Sequence, residues 1–165
     1  MSLYLPLFKA LNEANVQYVV VGGIATILHG YVRATSDIDL VVDLQVEEAT
    51  KVITVLSEAG YVPKVPVKAM EFADATKREQ WINEKGMQVF SMYQPSNPLL
   101  TIDLFVKQPI PYTELREHSV IMELDGVTVR VCSIDDLITM KNLAGRPKDL
   151  ADIEKLTKIK EYEKE

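Results

Sequence analysis

The chain has 165 residues, of which 47% are hydrophobic and 25% are charged, so it can bury the core of one globular domain. Its formal net charge of −6 disfavours a protein that coats duplex nucleic acid, because such proteins gain affinity by neutralising phosphates. No apolar run approaches the ~20 residues of a membrane-spanning helix, and the first residues predict no signal peptide. The single cysteine, Cys132, excludes an internal disulfide. We expect one domain over residues 1–165, located in the cytoplasm and without a membrane partner.

Helices and strands alternate in the first part of the chain. Apolar residues at helical spacing predict helices over Leu3–Asn15, Ile24–Gly30 and Val46–Ala59. β-Branched and aromatic runs predict strands over Val16–Val21 and Ile38–Val42. The glycine pair at positions 22 and 23 ends the first of these strands, and the next helix is predicted to begin directly after it.

The second part of the chain also mixes the two kinds of element. Two prolines make Val62–Val67 a loop or an edge strand. The patterns predict strands over Met87–Met92, Leu99–Val106 and Gly126–Cys132, and helices over Ala69–Glu84 and Ile134–Ala144, with further helices starting at Pro111 and Pro147. Together these elements predict an α/β (or α+β) fold in which helices flank a short mixed β-sheet and the C-terminus is helical.

Two aspartates one residue apart stand in an otherwise apolar predicted strand, DIDLVV. Side chains alternate along a strand, so Asp37 and Asp39 project to the same face. Two carboxylates this close repel one another unless a cation joins them, and Mg²⁺ suits them because it takes carboxylates together with phosphate oxygens. Asp103, in the apolar run LLTIDLFVK, is the candidate for the further carboxylate that a two-metal site needs. The alternative is that these acids lie exposed at strand ends or cap a helix.

The glycine pair also has two interpretations. A tight turn between a strand and a helix needs glycine without any ligand. The helix start directly after Gly22 and Gly23 is equally a place where free N–H groups and the helix dipole favour an anion. A phosphate held there, beside a metal on Asp37 and Asp39, predicts phosphoryl or nucleotidyl transfer.

This combination resembles the nucleotidyltransferase superfamily related to DNA polymerase β. In that pattern a strand ending in Gly-Gly is followed by a helix and by Asp-x-Asp in the next strand, and here thirteen residues separate VVVGG from DIDLVV. The closer similarity is to small members of the AbiEii-toxin and minimal-nucleotidyltransferase type. They often carry R-x-T-x-D-x-D, present as Arg33, Thr35, Asp37 and Asp39, and a downstream segment like DDLITMKNLAGRPKDLADIEKL. The resemblance extends over residues 17–156.

The resemblance implies a nucleotidyltransferase fold and an NTP donor. It implies that the three aspartates are catalytic and bind Mg²⁺, with two metals expected. It also implies that Gly22, Gly23 and their neighbours hold the triphosphate and that Lys141 of the downstream segment reaches it. The implied reaction moves an NMP from the NTP to a hydroxyl acceptor, and a toxin–antitoxin role is suggested by the family alone.

Several polar residues near the motifs keep two interpretations each. Arg33 contacts phosphate or pairs with an aspartate. Thr35 and Ser36 donate hydroxyl groups to phosphate or form a turn. Arg146 and Lys148 extend the positive surface or are ordinary surface charges.

Two acids are left outside the predicted site. Asp149 and Asp152 lie near the predicted start of the C-terminal helix. Acids are favourable there in any case, because the helix dipole attracts negative charge. Their position therefore needs no ligand to explain it.

The sequence does not determine the acceptor. An RNA or tRNA end, a protein hydroxyl and a small molecule all fit. We expect acceptor choice to come from loops such as residues 61–83, from a second copy of the chain, or from a partner protein. The alternative function is a non-catalytic nucleotide-binding or regulatory subunit on the same fold, but three converging carboxylates favour the enzyme.

Overall fold

A mixed seven-stranded β-sheet forms the centre of the molecule. The computed structural model describes residues 1–165. Its strands are β1 (Tyr18–Val21), β2 (Asp37–Val42), β3 (Val62–Pro63), β4 (Val89–Gln94), β5 (Asn97–Phe105), β6 (Val120–Leu124) and β7 (Val127–Val131). Their spatial order is β3-β4-β5-β2-β1-β7-β6. β2 pairs with β5 and β1 pairs with β7 in parallel, whereas all other neighbours are antiparallel.

Helices flank this sheet. They are α1 (Leu5–Glu13), α2 (Gly22–Leu28), α3 (Val46–Glu58), α4 (Ala75–Lys85), α5 (Tyr112–His118), α6 (Ile134–Ala144) and α7 (Pro147–Glu163), with short 3-10 turns over Ser2–Tyr4 and Ala69–Ala73. α2 packs against β1 and β2, α1 against β7, and α6 against both α2 and α7. The predicted mixed sheet with flanking helices and a helical C-terminus is confirmed. None of the helices combines the length and the apolar composition that crossing a membrane requires.

The two faces of β2 differ in burial, and this difference places the acids. Ile38 and Leu40 are fully buried, whereas Asp37 and Asp39 on the other face are only partly covered. Ile38 and Leu40 belong to one cluster of 39 buried residues that extends from Tyr4 to Leu156, so a single hydrophobic core joins both ends of the chain. The alternation of β2 therefore anchors one face in the core and leaves the carboxylate face open.

Two helices at the C-terminus form a hairpin joined by a short link. The Ser133 hydroxyl oxygen accepts a hydrogen bond from the Asp136 N–H (3.1 Å) and caps α6, as predicted. Gly145 ends α6 in the left-handed conformation, with φ of 62°, and Pro147 then occupies the first turn of α7. The link brings side chains of both helices close together.

The predicted helix over Ala69–Glu84 is wrong as a single element. A 3-10 turn covers Ala69–Ala73, and α4 begins only at Ala75. The Asp74 carboxylate accepts hydrogen bonds from the N–H groups of Thr76 (2.9 Å) and Lys77 (3.3 Å). These N–H groups would be bonded within the helix if it were continuous. Their bonds to the Asp74 side chain therefore mark the start of a new helix.

One strand, β6, was not predicted. It pairs with β7 through a turn at Asp125 and Gly126, which both have positive φ (48° and 81°). An Asp-Gly pair between β-branched runs is a strong hairpin signal that the sequence does contain. The strand itself lacks a clear apolar alternation because it lies at the sheet edge, where Val120 and Ile121 are both exposed.

Candidate active site

Three carboxylates meet where β2 and β5 run side by side. Asp39 lies directly opposite Asp103 in the parallel ladder, and Asp37 lies opposite Thr101. Paired residues of neighbouring strands share a face of the sheet, so the three carboxylates project to the same side. They line one cavity of about 190 Å³, whose lining contains no hydrophobic residue. Two strands that are distant in sequence thus build one polar site.

The three carboxylates repel one another in this cavity. Burial, followed by the charges of Asp103 and Asp37, raises the pKa of Asp39 to about 7. Burial also raises the pKa of Asp103, although the Ser91 hydroxyl, which donates to its Oδ1 atom, opposes the shift. None of the three forms an ion pair with a lysine, arginine or histidine. Their negative charge therefore has no basic partner within the protein.

The donor chemistry of these carboxylates fits a hard divalent cation. All the candidate ligand atoms are carboxylate oxygens, and a bound cation would relieve the repulsion between them. As the side chains are arranged in the structure, no three or more histidine, cysteine or acidic residues form a group that could hold a metal ion. Mg²⁺ does not require such a cluster, because it usually binds one or two carboxylates and completes its shell with water and phosphate oxygens. Asp37, Asp39 and Asp103 therefore stay the predicted ligands of such a metal, without forming an assembled metal site in this structure.

The glycine pair is packed against polar side chains of the site. A Cβ atom at Gly22 would lie 2.1 Å from Asp39 Oδ2, and the φ of Gly22 is +69°. A Cβ atom at Gly23 would lie 2.8 Å from Thr35 Oγ1. Any other residue would have to displace these side chains, so glycine is required at both positions. The groups that approach the glycine backbone closely in this structure are the Asp39 carboxylate and the Thr35 hydroxyl.

The segment between α2 and β2 places three predicted residues in different ways. Thr35 lines the cavity. The Ser36 hydroxyl donates to Asp37 Oδ1 (3.1 Å), but Ser36 is not part of the lining. Arg33 lines the cavity and forms an ion pair with Asp152 of α7. Of the two interpretations of Arg33, pairing with an aspartate is the one observed, and the partner lies outside the Asp-x-Asp motif.

Lys141 reaches the cavity from α6 although it is only 5% exposed. Its Nζ atom lies 2.7 Å from Asp152 Oδ2 and 4.0 Å from Asp149 Oδ1. Arg146, in the link between α6 and α7, forms a further ion pair with Asp149, with 2.7 Å between Nε and Oδ2. Since Asp152 also pairs with Arg33, two acids of α7 form ion pairs with three basic residues from three different segments, and one positive charge is left in excess.

The structure brings eight of the nine predicted site residues to the same cavity. They are Gly22, Gly23, Arg33, Thr35, Asp37, Asp39, Asp103 and Lys141, and Ser36 is the ninth, which stays outside. Arg146, Lys148 and Asp149 complete the lining. The location of these residues is thus observed, whereas their roles stay predictions.

A polar row continues from the acids across the next two strands. Ser91 of β4 lies opposite Asp103, and the N–H of Lys64, directly after β3, donates to the Ser91 carbonyl (2.9 Å). Lys64 forms no ion pair, and its charge opposes the rise in the pKa of Asp103. Neither residue was predicted, because only the strand register relates them to the acids. Neither residue lines the cavity, and the row lies beyond Asp103 on the side away from Gly22.

Asp149 and Asp152, which lie outside the site predicted from the sequence, are buried beside it. They are only 2% and 3% exposed, and they share a face of α7 with the fully buried Leu156. Residues three and four apart lie on the same side of a helix. Their spacing from Leu156 is therefore a signal, present in the sequence, that these acids face the interior and need basic partners.

The sequence also matches a known protein family over most of its length. The model of the family described as aminoglycoside-2''-adenylyltransferase matches residues 4–156. The chain belongs to this family. No protein of curated function matches it with significant sequence similarity.

Two solved structures have a similar fold. An antigenic nucleotidyltransferase-like protein from Paracoccidioides brasiliensis gives a TM-score of 0.62 at 18% sequence identity, covering 96% of this chain and 73% of that chain. A protein from Thermotoga maritima with a provisional nucleotidyltransferase name gives a TM-score of 0.60 at 14% identity, covering 95% of this chain and 91% of that chain. Identities this low establish similarity of fold alone. Together with the aminoglycoside-2''-adenylyltransferase family, they confirm the nucleotidyltransferase superfamily, and the AbiEii-type resemblance stays a prediction.

Proposed function

We propose that the protein is a Mg²⁺-dependent nucleotidyltransferase that moves an NMP from an NTP to a hydroxyl acceptor. The observation that carries this proposal is the cluster of three unpaired carboxylates from two adjacent parallel strands. They face a glycine pair and basic side chains in a cavity without hydrophobic lining. Membership of a family named for adenylyl transfer supports the same reaction.

The proposed metal ligands are Asp37, Asp39 and Asp103. When bound, Mg²⁺ would supply positive charge that stabilises the phosphate oxygens and the attacking hydroxyl. Gly22 and Gly23, at the start of α2, are proposed to hold the triphosphate, while the space beside their Cα atoms is taken by Asp39 and Thr35. The remaining predicted nucleotide-binding residues are the donors Arg33, Thr35, Ser36 and Lys141.

The proposed reaction is an in-line displacement at the α-phosphorus of the NTP. The acceptor hydroxyl loses its proton to Asp103, the carboxylate that is proposed to lie beside it. The hydroxyl oxygen then forms a bond to the α-phosphorus, and pyrophosphate leaves with the electron pair of the broken P–O bond. Lys141 and Arg33 would stabilise the negative charge of the leaving group, which is the largest contribution in sites of this kind.

The acceptor is proposed to enter over Ser91 and Lys64, on the open side of Asp103. The family name makes ATP and an aminoglycoside hydroxyl the first donor and acceptor to test. The net charge of −6 favours a polycationic acceptor over a polyanionic one. An RNA end, a protein hydroxyl or a role in a toxin–antitoxin pair, with a second copy or a partner protein assisting, are the alternatives for the same chemistry.

The experiment offers purified protein, Mg²⁺ and each NTP labelled at the α-phosphate to four separate acceptors. These are an aminoglycoside, total RNA, total protein and the protein itself, each beside an Asp37→Ala/Asp39→Ala control. Label that moves into one acceptor, and stays in the NTP in the control, supports the transferase and identifies its acceptor. Label that moves equally well in the control contradicts the assignment of these aspartates.

Mg²⁺-dependent NTP binding without transfer to any acceptor would favour the alternative function, a nucleotide-binding or regulatory subunit. Binding is followed by the shift in melting temperature that each NTP causes with and without Mg²⁺. The double variant Asp37→Ala/Asp39→Ala removes the Mg²⁺-dependent part of this shift in either case. The transfer assay and the binding assay together therefore separate an enzyme from a binding module.

A further inference from the structure

A second polar cavity lies at the opposite end of β1 from the active-site cleft. It has a volume of about 250 Å³ and is formed where the turn after α1, the start of β1, α5 and the β6–β7 hairpin meet. Tyr18, the first residue of β1, lines this cavity, whereas Gly22, which follows the last residue of β1, lines the cleft. None of its nine lining residues is acidic, although the chain has 24 acids.

Two arginines without acidic partners converge on this cavity. Of the five arginines in the chain, Arg33 and Arg146 are ion-paired, and Arg78 donates to backbone carbonyl oxygens. The other two, Arg116 and Arg130, form no ion pair, and both line the second cavity. In a chain of net charge −6, two adjacent guanidinium groups without a carboxylate form a local positive site.

Hydrogen bonds to neutral acceptors hold the two guanidinium groups in place. Arg116 donates through Nη1 to Gln17 Oε1 (2.7 Å), and Arg130 donates through Nη1 to Ser119 Oγ (2.9 Å). The Tyr112 hydroxyl donates to the same Gln17 oxygen (3.3 Å). A guanidinium group has five N–H donors, so each arginine keeps several donors for a ligand.

Two further donors of the cavity lining have no partner in the protein. The side chains of Asn15 and Thr128 line the cavity and form no hydrogen bond. Asn15 also has a positive φ of 56° in the turn between α1 and β1. Burial raises the pKa of Tyr18 to about 12, so its phenol stays protonated and donates to Asn12 Oδ1 (2.9 Å). The lining is therefore rich in donors and contains no ionised acid.

From this geometry we infer that the second cavity binds the phosphate group of a small ligand. Two guanidinium groups carry two positive charges, which match a phosphate dianion better than a carboxylate monoanion. Arginine also binds phosphate oxygens through paired, charge-assisted hydrogen bonds. The bound phosphate is either free inorganic phosphate or the phosphate of a monoester, and the site is separate from the cleft that carries the proposed transfer.

The test is isothermal titration of the full chain at low ionic strength without Mg²⁺. The probes are inorganic phosphate, ribose 5-phosphate as a monoester, ribose as its uncharged counterpart, and acetate as a monoanion. We expect both phosphates to bind, ribose and acetate not to bind, and salt to weaken the binding. Arg116→Gln and Arg130→Gln should each reduce phosphate affinity about tenfold, as expected for losing a hydrogen bond to a charged group.

The matched control is Arg146→Gln, which removes a guanidinium group from the cleft instead. Phosphate binding that is unchanged in Arg146→Gln and weakened about tenfold in each of the two cavity variants supports the inference. Binding that is absent in the natural chain, or that is unchanged in the two cavity variants, overturns it. Arg116 is exposed, so its single substitution leaves the fold intact if Arg130→Gln fails to fold. Stronger binding of ribose 5-phosphate than of inorganic phosphate would identify a monoester as the ligand.

Discussion

The two walls of the cavity that Asp37, Asp39 and Asp103 line carry aspartates in opposite electrostatic states. On the sheet wall, formed by Asp37, Asp39 and Asp103, no carboxylate has a basic partner, and the pKa of Asp39 rises to about 7. The helix wall is formed by Asp149, which lines the cavity, and by Asp152 on the same face of α7, together with their basic partners. Burial alone would raise the pKa of Asp149, but hydrogen bonds from Arg146 lower it. The more deeply buried acids are thus the better compensated ones. Basic partners, and not burial alone, therefore decide which of the two sets of aspartates is available to bind a cation.

The largest predicted effect on activity comes from neutralising one acid on each wall and comparing the two losses. Asp39→Asn should reduce nucleotidyl transfer about 10³-fold or more, because it removes a proposed metal ligand at the reacting phosphate. Asp149→Asn should reduce it by about tenfold at most, since Asp149 is already engaged with Arg146. Initial rates of transfer to the identified acceptor measure both effects. Equal losses in the two variants would mean that the walls do not differ in function.

The second prediction concerns stability on the helix wall. Asp152→Ala should lower the free energy of unfolding by about 3 kcal/mol, because it leaves the buried Lys141 with only the more distant carboxylate of Asp149, 4.0 Å away. Glu154→Ala on the same helix is the matched control, since the Glu154–Lys158 pair is exposed and its loss should leave the stability almost unchanged. Urea unfolding of both variants measures the difference. A loss below about 1 kcal/mol in Asp152→Ala would contradict a structural role for this wall.

The third prediction is a pH dependence that originates on the sheet wall. The folded-state pKa of Asp39 lies above its ordinary value, so the folded chain holds a proton that the unfolded chain has already lost. Stability should therefore fall as the pH rises from 5 to 8, by on the order of 2–3 kcal/mol in the absence of metal. Mg²⁺ should restore stability at pH 8, because it takes the place of the proton.

The variant Asp39→Asn sharpens this third prediction. It should lose most of the pH slope and the stabilisation by Mg²⁺, while it becomes more stable than the natural chain at pH 8 without metal. Urea unfolding in EDTA and in Mg²⁺, at pH 5 and pH 8, gives the four values for each protein. An unchanged slope in Asp39→Asn would show that another group causes the pH dependence.

The smallest predicted effect tests whether the sheet wall extends to Ser91. Ser91→Ala removes the hydroxyl that donates to Asp103 and should reduce kcat about tenfold, with little change in the KM for the NTP. Ser91→Thr keeps the hydroxyl and should restore most of the rate. An increase of the KM for the NTP with unchanged kcat would place Ser91 in nucleotide binding instead of beside the acceptor.

Local patterns in the sequence predicted the sheet wall well and the helix wall poorly. Asp37 and Asp39 could be found because acids in an apolar strand are unusual and a spacing of two fixes their common face. Lys141 was found by resemblance, but its pairing with Asp152 depends on how α6 and α7 pack. The strand order and the pairing of Ser91 with Asp103 are likewise tertiary facts that no local pattern contains.

The direct pairing of Asp39 with Asp103 also has a consequence for folding. A slip of one residue between β2 and β5 would turn Asp103 into the hydrophobic core and expose Ile102, which is fully buried. Burying an unpaired carboxylate in apolar surroundings is strongly unfavourable, so the misaligned sheet is excluded. Asp103, the proposed acceptor of the proton, therefore also helps to set the register of β2 and β5 during folding.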